Sequence, residues 1–280
     1  MKAKSIRQSI TISGITLHRG EFATLKLQPI DIGSGIIFYK SGVKIALNYK
    51  NVVDTTMATT IGLNGVVIHT IEHLMSAVYS LGITDLLIEL DSSEPPILDG
   101  SSLEFFKIIQ NNGIIEHNIN RKIIKIKKDI IIKDNSRFVS ISPNNINKGF
   151  FIDSTISFSN KAIGIQSFNF EVTPENYLRE IAPARTFGFL SEFENLKNRG
   201  LALGANYENV IVIGEDKILN TELRFENEFV RHKILDVIGD LSILGYKIVG
   251  NYKSFASSHT LNYALIKSIL SNPENYEIEN

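Results

Sequence analysis

Over residues 5–50, short β-favouring stretches alternate with glycines. Ile10, Ile12 and Ile15, then Thr24, Leu25 and Leu27, are separated by Gly14, Gly20, Gly33, Gly35 and Gly42, so strands joined by glycine turns are predicted here. His18 lies in one of these turns, where a hydrogen-bonding surface role is the ordinary expectation. After a short strand at 66–68 the period lengthens. Ile71, Leu74, Val78 and Leu81 share one face of a helix that Thr70 can cap and Gly82 can end. Asp85 to Leu90 reads as a buried strand, and Pro95, Pro96 and Asp99-Gly100 favour turns. Ser101 and Glu104 have capping-box spacing for a helix over about 102–112, with Gly113 as its stop.

Residues 114–121, IIEHNINR, have the polar composition of a linker and divide the chain into 1–119 and 120–280. Strand patterns return at roughly 122–133, 137–142, 150–158 and 166–172. Thr173-Pro174 opens a short helix, ARTFGF at 184–189 is predicted to be irregular, and a helix over about 191–198 and a strand at 210–213 follow. Residues 222–245 then read as the longest helix. Leu223, Val230, Ile234, Val237 and Leu241 form its core face, and Phe229, Leu235 and Ile238 make most of the remaining surface apolar, which predicts burial. A strand over 246–252 and an amphipathic helix with His259 near its start close the chain. The order helix, Leu-Gly, strand occurs twice, at Leu81-Gly82 and at Leu244-Gly245, and aligning the two sets His73 opposite Asp236. The predicted class is α+β, with a duplicated unit and a site where the copies meet.

Two of these helices carry ionisable groups in a pattern. His232, Asp236 and Asp240 stand at i, i+4 and i+8, one stripe on a helix that is otherwise apolar. Buried carboxylates need a cation or a metal, whereas a solvated stripe needs neither, and this helix alone leaves both readings open. Glu72 and His73 point away from the core face of their helix, among the small residues Ser76, Ala77 and Ser80. They are either a solvated first turn or a pair with room for something to approach. With SSHTLN at 257–262, the fragments TIEHL and RHKILDVIGD bring three histidines, two aspartates and a glutamate. The chain has no cysteine, so any zinc must be held by His, Asp or Glu. Catalytic zinc takes three such ligands and keeps a position open, and an adjacent carboxylate serves as base. The three fragments together favour zinc.

The formal net charge of -1 argues against a nucleic-acid partner but allows a local pocket for a nucleotide. There is no secretory leader pattern and no apolar run long enough to span a membrane, so a cytoplasmic protein without a membrane span, and a monomer, are expected.

Taken in order, TIEHL, PPILDGSS, ARTFGF, RFENEFVRHKILDVIGD and SSHTLN resemble the UDP-3-O-acyl-N-acetylglucosamine deacetylase (LpxC) family of lipid A biosynthesis in Gram-negative bacteria, over about residues 10–270. The resemblance implies two similar α+β domains packed face to face, with the metal between them. It implies that His73, His232 and Asp236 bind Zn²⁺ and that Glu72 is the general base. His259 would be the general acid or oxyanion stabiliser, Asp240 the carboxylate that orients it, and Thr186 a hydrogen-bond donor to the oxyanion. Lys233 would contact the diphosphate region of the substrate, and Phe158 and Phe187 would line the nucleotide-sugar site. The reaction implied is hydrolysis of the N-acetyl group of UDP-3-O-(3-hydroxyacyl)-N-acetylglucosamine, releasing acetate. An insert within about 190–213 would form an acyl passage, with Leu190, Phe193, Leu201, Ala202 and Leu203 as candidates. Some members carry a cysteine where this chain has Ala58.

Overall fold

The computed structural model describes residues 1–144 and 148–279. Two hairpins with a later strand inserted between them make up each half. In the first half, β1 (Ile10–Ile15) pairs with β2 (Phe22–Gln28), and β3 (Ile36–Lys40) with β4 (Val43–Ala46). Strand β5 (Leu86–Leu90), which follows helix α1 (Glu72–Leu81), enters between them, giving the order β1-β2-β5-β3-β4. It runs antiparallel to β2 and parallel to β3. The second half repeats this plan. Hairpins β6 (Ile130–Asp134) with β7 (Arg137–Ser142) and β8 (Phe150–Ser157) with β9 (Ile165–Glu171) flank β10 (Lys247–Phe255), which follows helix α4 (Glu228–Leu241). β10 is antiparallel to β7 and parallel to β8. Each central strand is followed by another helix, α2 (Leu103–Asn112) or α5 (His259–Ser271). The Leu-Gly echo is the trace of this repeat. Gly82 and Gly245 both take the left-handed conformation, at φ 78° and 74°, ending corresponding helical segments just before the central strands.

The strands alternate buried and exposed positions, as sheets with one face on a core must. α1 is buried on every side, because the face away from its own sheet meets α4. Gly239 permits the close approach: a methyl group there would lie 2.1 Å from the carbonyl oxygen of Glu72. One apolar core therefore runs from Leu25, Phe38 and Ile88 in the first sheet, through Leu74, Val78, Ile234 and Leu241, to Ile141, Ile152 and Ile248 in the second. Each such side chain contributes about 1.5–3 kcal/mol by leaving water. A smaller core of Ile156, Ile163, Ile211, Ile213, Phe229 and Val230 supports the floor of a cavity. No helix among the described residues is long and apolar enough to cross a membrane.

Several local expectations are corrected. Residues 114–120 are not a loop linker but a strand antiparallel to Lys2–Ile6; its polarity reflects exposure at an edge. α4 begins at Glu228, not 222, because the preceding segment wraps the buried Arg185–Glu228 pair. Arg185 donates to the Glu222 carbonyl (2.8 Å) and the Thr221 hydroxyl (3.0 Å), and the Arg224 amide donates to Glu228 (2.6 Å). Leu223 therefore lies outside the helix. Within ARTFGF, Phe187–Phe189 is a strand parallel to Ile211–Ile213. Thr70 does not cap α1: it sits at φ 55° and its hydroxyl donates to buried Glu94 at 2.7 Å. The capping box at Ser101 does not form either. Its hydroxyl donates to Asp99, and the helix starts at Leu103. The strand predicted over 122–133 is broken into Ile123–Ile126 and β6.

Candidate active site

Burial of α1 and α4 against each other settles the first ambiguity. Glu72, His73, His232, Asp236 and Asp240 are all buried, so the ionisable stripe is not a solvated surface. His73 comes from the first turn of α1, and His232 and Asp236 from successive turns of α4. Nε2 of His73 lies 3.8 Å and Nε2 of His232 3.6 Å from Oδ1 of Asp236, too far for hydrogen bonds and close enough to share one ion. One donor atom from each of the three can be chosen so that all lie within 4.8 Å of one another.

The donor chemistry fits a metal. The Nδ1 of His232 donates to the Ala184 carbonyl at 3.1 Å, which leaves Nε2 with its lone pair toward Asp236. His73 makes no hydrogen bond through its ring among the described residues, and its Nδ1 is buried without a partner. Burial, reinforced by the neighbouring His232, lowers the His73 pKa to about 3, so the ring is neutral at physiological pH, the form a metal ligand needs. Burial alone would raise the Asp236 carboxyl. Lys233 and the adjacent histidines outweigh that and hold it well below the usual carboxylate range. Lys233 Nζ donates to Asp236 Oδ2 at 2.6 Å, leaving Oδ1 on the histidine side.

A second group lies beside the first. Burial raises the Glu72 pKa to about 7, against the opposing pull of His259. Its Oε2 accepts the amide proton of Thr59 at 3.1 Å, and its Oε1 lies 3.9 Å from His259 Nε2. His259, at the start of α5, donates through Nδ1 to both oxygens of Asp240, at 3.0 and 2.9 Å. Burial disfavours its charge, but Asp240 and then Glu72 overcome this and raise its pKa to about 9. At neutral pH the site thus pairs a carboxyl near its midpoint with an imidazolium, the complement that proton transfer in both directions requires.

Both groups face a cavity of about 630 Å³. Thr186, Phe158, Phe187, Lys233 and His259 line it, so every site residue expected from sequence is in it or bonded to a residue in it. The Thr186 amide donates to the Gly100 carbonyl at 2.8 Å, fixing ARTFGF against the turn after β5. Phe187 packs edge-on against Phe158, Phe229 and His232, shielding the histidine from water. Beyond them the walls become apolar, with Phe189, Leu190, Phe193, Leu196, Ala202 and Val212; helix α3 (Leu190–Asn198) supplies several of these. Of the expected insert residues, Leu190, Phe193 and Ala202 line the cavity. Leu201 lines a smaller adjoining one, and Leu203 is half exposed.

Four residues near the site were not expected. His18 does lie in a turn and does form hydrogen bonds, its carbonyl accepting the Leu203 amide at 3.0 Å, but it is also a half-buried wall of the cavity. Met57 also lines the cavity. Thr59 bonds both Glu72 and Asp240, and Asn262 donates to Asp240 at 2.7 Å. Asn262 stands one turn from His259, a spacing that could have revealed it. Thr59 lies in a run of threonines that gives no such signal.

The family model described as UDP-3-O-acyl N-acetylglycosamine deacetylase (LpxC) matches residues 3–271. The chain belongs to the LpxC family. Relatives named UDP-3-O-acyl-N-acetylglucosamine deacetylase include one from Nitratiruptor sp., 47% identical over 281 residues, covering 99% of this chain and 93% of the relative. One from Nautilia profundicola is 48% identical over 280 residues, with 99% and 94% covered. One from Campylobacter jejuni is 44% identical over 281 residues, with 99% and 95% covered. The two-unit α+β architecture and the His–His–Asp group between the units agree with membership in LpxC.

Proposed function

We propose that this chain is a cytoplasmic, zinc-dependent deacetylase. It hydrolyses the N-acetyl group of UDP-3-O-(3-hydroxyacyl)-N-acetylglucosamine to give UDP-3-O-acyl-glucosamine and acetate, a step of lipid A biosynthesis. Family membership supports the substrate. The observation that carries the reading is the placement of a base and an acid, Glu72 and His259, beside a His–His–Asp group in one largely apolar cavity. On this reading the halves 1–119 and 120–280 act as two domains that share the site, and the protein works as a monomer.

His73, His232 and Asp236 would hold the ion, and their neutral nitrogens and carboxylate are a donor set suited to zinc. When bound, zinc supplies Lewis-acid chemistry, making hydroxide available near neutral pH and polarising the scissile carbonyl. Glu72 takes the proton from the attacking water. Its raised pKa makes the same carboxyl able to give that proton up later. His259, held charged by Asp240, offers Nε2 to the developing oxyanion or to the departing amine. Thr186 is the proposed hydroxyl donor to that oxyanion. Phe158 and Phe187 would flank the nucleotide sugar, and the apolar arm past Phe193 and Ala202 suits the acyl chain. Lys233 would reach the diphosphate region only by sharing its ammonium with Asp236.

The test is turnover of the acylated UDP-sugar by the purified protein, before and after chelation. Acetate release that chelation abolishes and zinc restores is the expected result. Equal turnover of simple N-acetyl sugars, or turnover indifferent to chelation, would contradict the proposal.

A further inference from the structure

Thr59 reaches Glu72 directly and His259 through Asp240. Its amide donates to Oε2 of Glu72 at 3.1 Å, and its hydroxyl donates to Oδ1 of Asp240 at 2.6 Å. Its carbonyl accepts the amide of Ile71, the residue just before α1, at 3.3 Å. Thr59 is 2% exposed, so water does not compete for these bonds. Two of the three bonds fix it to the first half of the molecule and the hydroxyl crosses to the second.

The hydroxyl acts on His259 through the orientation of a carboxylate. The His259 Nδ1 proton is shared between both oxygens of Asp240, which happens only when the carboxylate plane faces the ring squarely. A carboxylate can swing about its last torsion, which is broad. Two outside donors hold it: Thr59 on Oδ1 and the Asn262 amide on Oδ2 at 2.7 Å. Asn262 is itself fixed by the Tyr252 hydroxyl, which donates to its side-chain oxygen at 2.7 Å. Without the Thr59 hydroxyl, Oδ1 loses its second donor and the carboxylate can turn about the Asn262 bond. The imidazole turns with it, and Nε2 leaves the position facing Glu72.

We infer that Thr59 is a positioning residue that sets the His259 imidazole relative to Glu72, by holding the base through its amide and the Asp240 carboxylate through its hydroxyl. The inference rests on the deacetylase reading for its chemistry and on the hydrogen bonds alone for its geometry. A threonine serves better than serine or valine: its methyl group fills buried space while its hydroxyl reaches Asp240.

Thr59→Val keeps the shape and the amide and removes the hydroxyl; Thr59→Ser keeps the hydroxyl. The zinc-loaded full chain is assayed for kcat, KM and metal content. Thr59→Val should lose kcat by roughly 10- to 100-fold, the usual effect of a misplaced catalytic group, with KM and metal content within about 2-fold of wild type. Thr59→Ser should recover kcat to within about 3-fold. The decisive arm repeats Thr59→Val in a His259→Ala background. There the second substitution should change kcat by less than about 2-fold, because the group it positions is gone. A multiplicative loss in that background, or wild-type kcat in Thr59→Val, would overturn the inference. If Thr59→Val does not fold, the same comparison is made with Thr59→Ser and Thr59→Ala, and equal kcat in these two overturns it as well. A wild-type protein without deacetylase turnover would instead sink the proposed function.

Discussion

Gly239 of α4 lies against the backbone of Glu72 in α1, so closely that a single methyl group at position 239 would come 2.1 Å from the Glu72 carbonyl oxygen. Glu72 and the His73–His232–Asp236 group, the base and metal site of the proposed function, are brought together by this contact, because Asp236 and Asp240 flank Gly239 on the same helix. Gly239→Ala must push the helices apart. The expected cost is about 1–3 kcal/mol from overpacking, read as a lower Tm, together with a larger fractional loss of kcat than of folded protein. An alanine variant with wild-type stability and turnover would show that the helices do not need this approach.

Lys233 and Asp236 form a buried ion pair at 2.6 Å. In metal-free protein, Lys233→Ala takes away the ion-pair partner of Asp236, leaving neutral His73 beside it and the more distant His259 as the remaining positive charge. Removing one partner of such a pair costs about 3–5 kcal/mol. Because a bound cation offsets that loss, the Tm gained on adding zinc should be larger in Lys233→Ala than in wild type. If Lys233 also serves the diphosphate, UDP affinity measured calorimetrically should fall in the zinc-loaded variant. An unchanged zinc-induced shift would refute the pairing argument, and unchanged UDP affinity would refute the diphosphate role.

The pH profile of kcat/KM has a defined sense. Glu72 must be ionised to take a proton, so activity falls as pH drops through its pKa, about 7 in the metal-free site. His259 must be protonated, so activity falls as pH rises through its pKa, about 9. A bound cation favours the deprotonated forms, so the limbs should lie at or below these values. His259→Ala should lose its alkaline limb together with most of its activity. A profile with no alkaline limb by about pH 9 would disagree with the His259 assignment, and one whose acid limb lies above about pH 7 would disagree with that of Glu72.

Ala202 lines the apolar arm and sits at φ 55°. Ala202→Trp should reduce turnover of the long-chain substrate by roughly tenfold or more while sparing a truncated one, since the bulk blocks the arm and not the reaction centre. Equal loss on both substrates would place the acyl chain elsewhere.

Much of this site was legible because helical spacing is rigid. His232, Asp236 and Asp240 are one stripe at any helix orientation, and the echo that aligned His73 with Asp236 reflects two units with the same strand order. The start of α4 was not legible, because residues 222–227 have helical spacing but the Glu222 carbonyl is taken by Arg185 and the Arg224 amide by Glu228. The strand at 114–120 was hidden by its exposed edge. Thr59, His18 and Met57 escaped because their roles come from contacts between segments far apart in the chain, and no local period marks them.

The measurement that tests the account most directly is bound zinc and deacetylase turnover, taken together on two neighbouring variants. His73 and Glu72 are adjacent on α1, yet one is assigned to the metal and the other to the proton. His73→Ala should lose zinc affinity and activity together. Glu72→Ala should retain near-stoichiometric zinc and the fold, while kcat falls by on the order of 10²–10⁴, the usual worth of a positioned general base. Glu72→Ala that binds no zinc, or that turns over at the wild-type rate, would contradict the division of labour on which the mechanism stands.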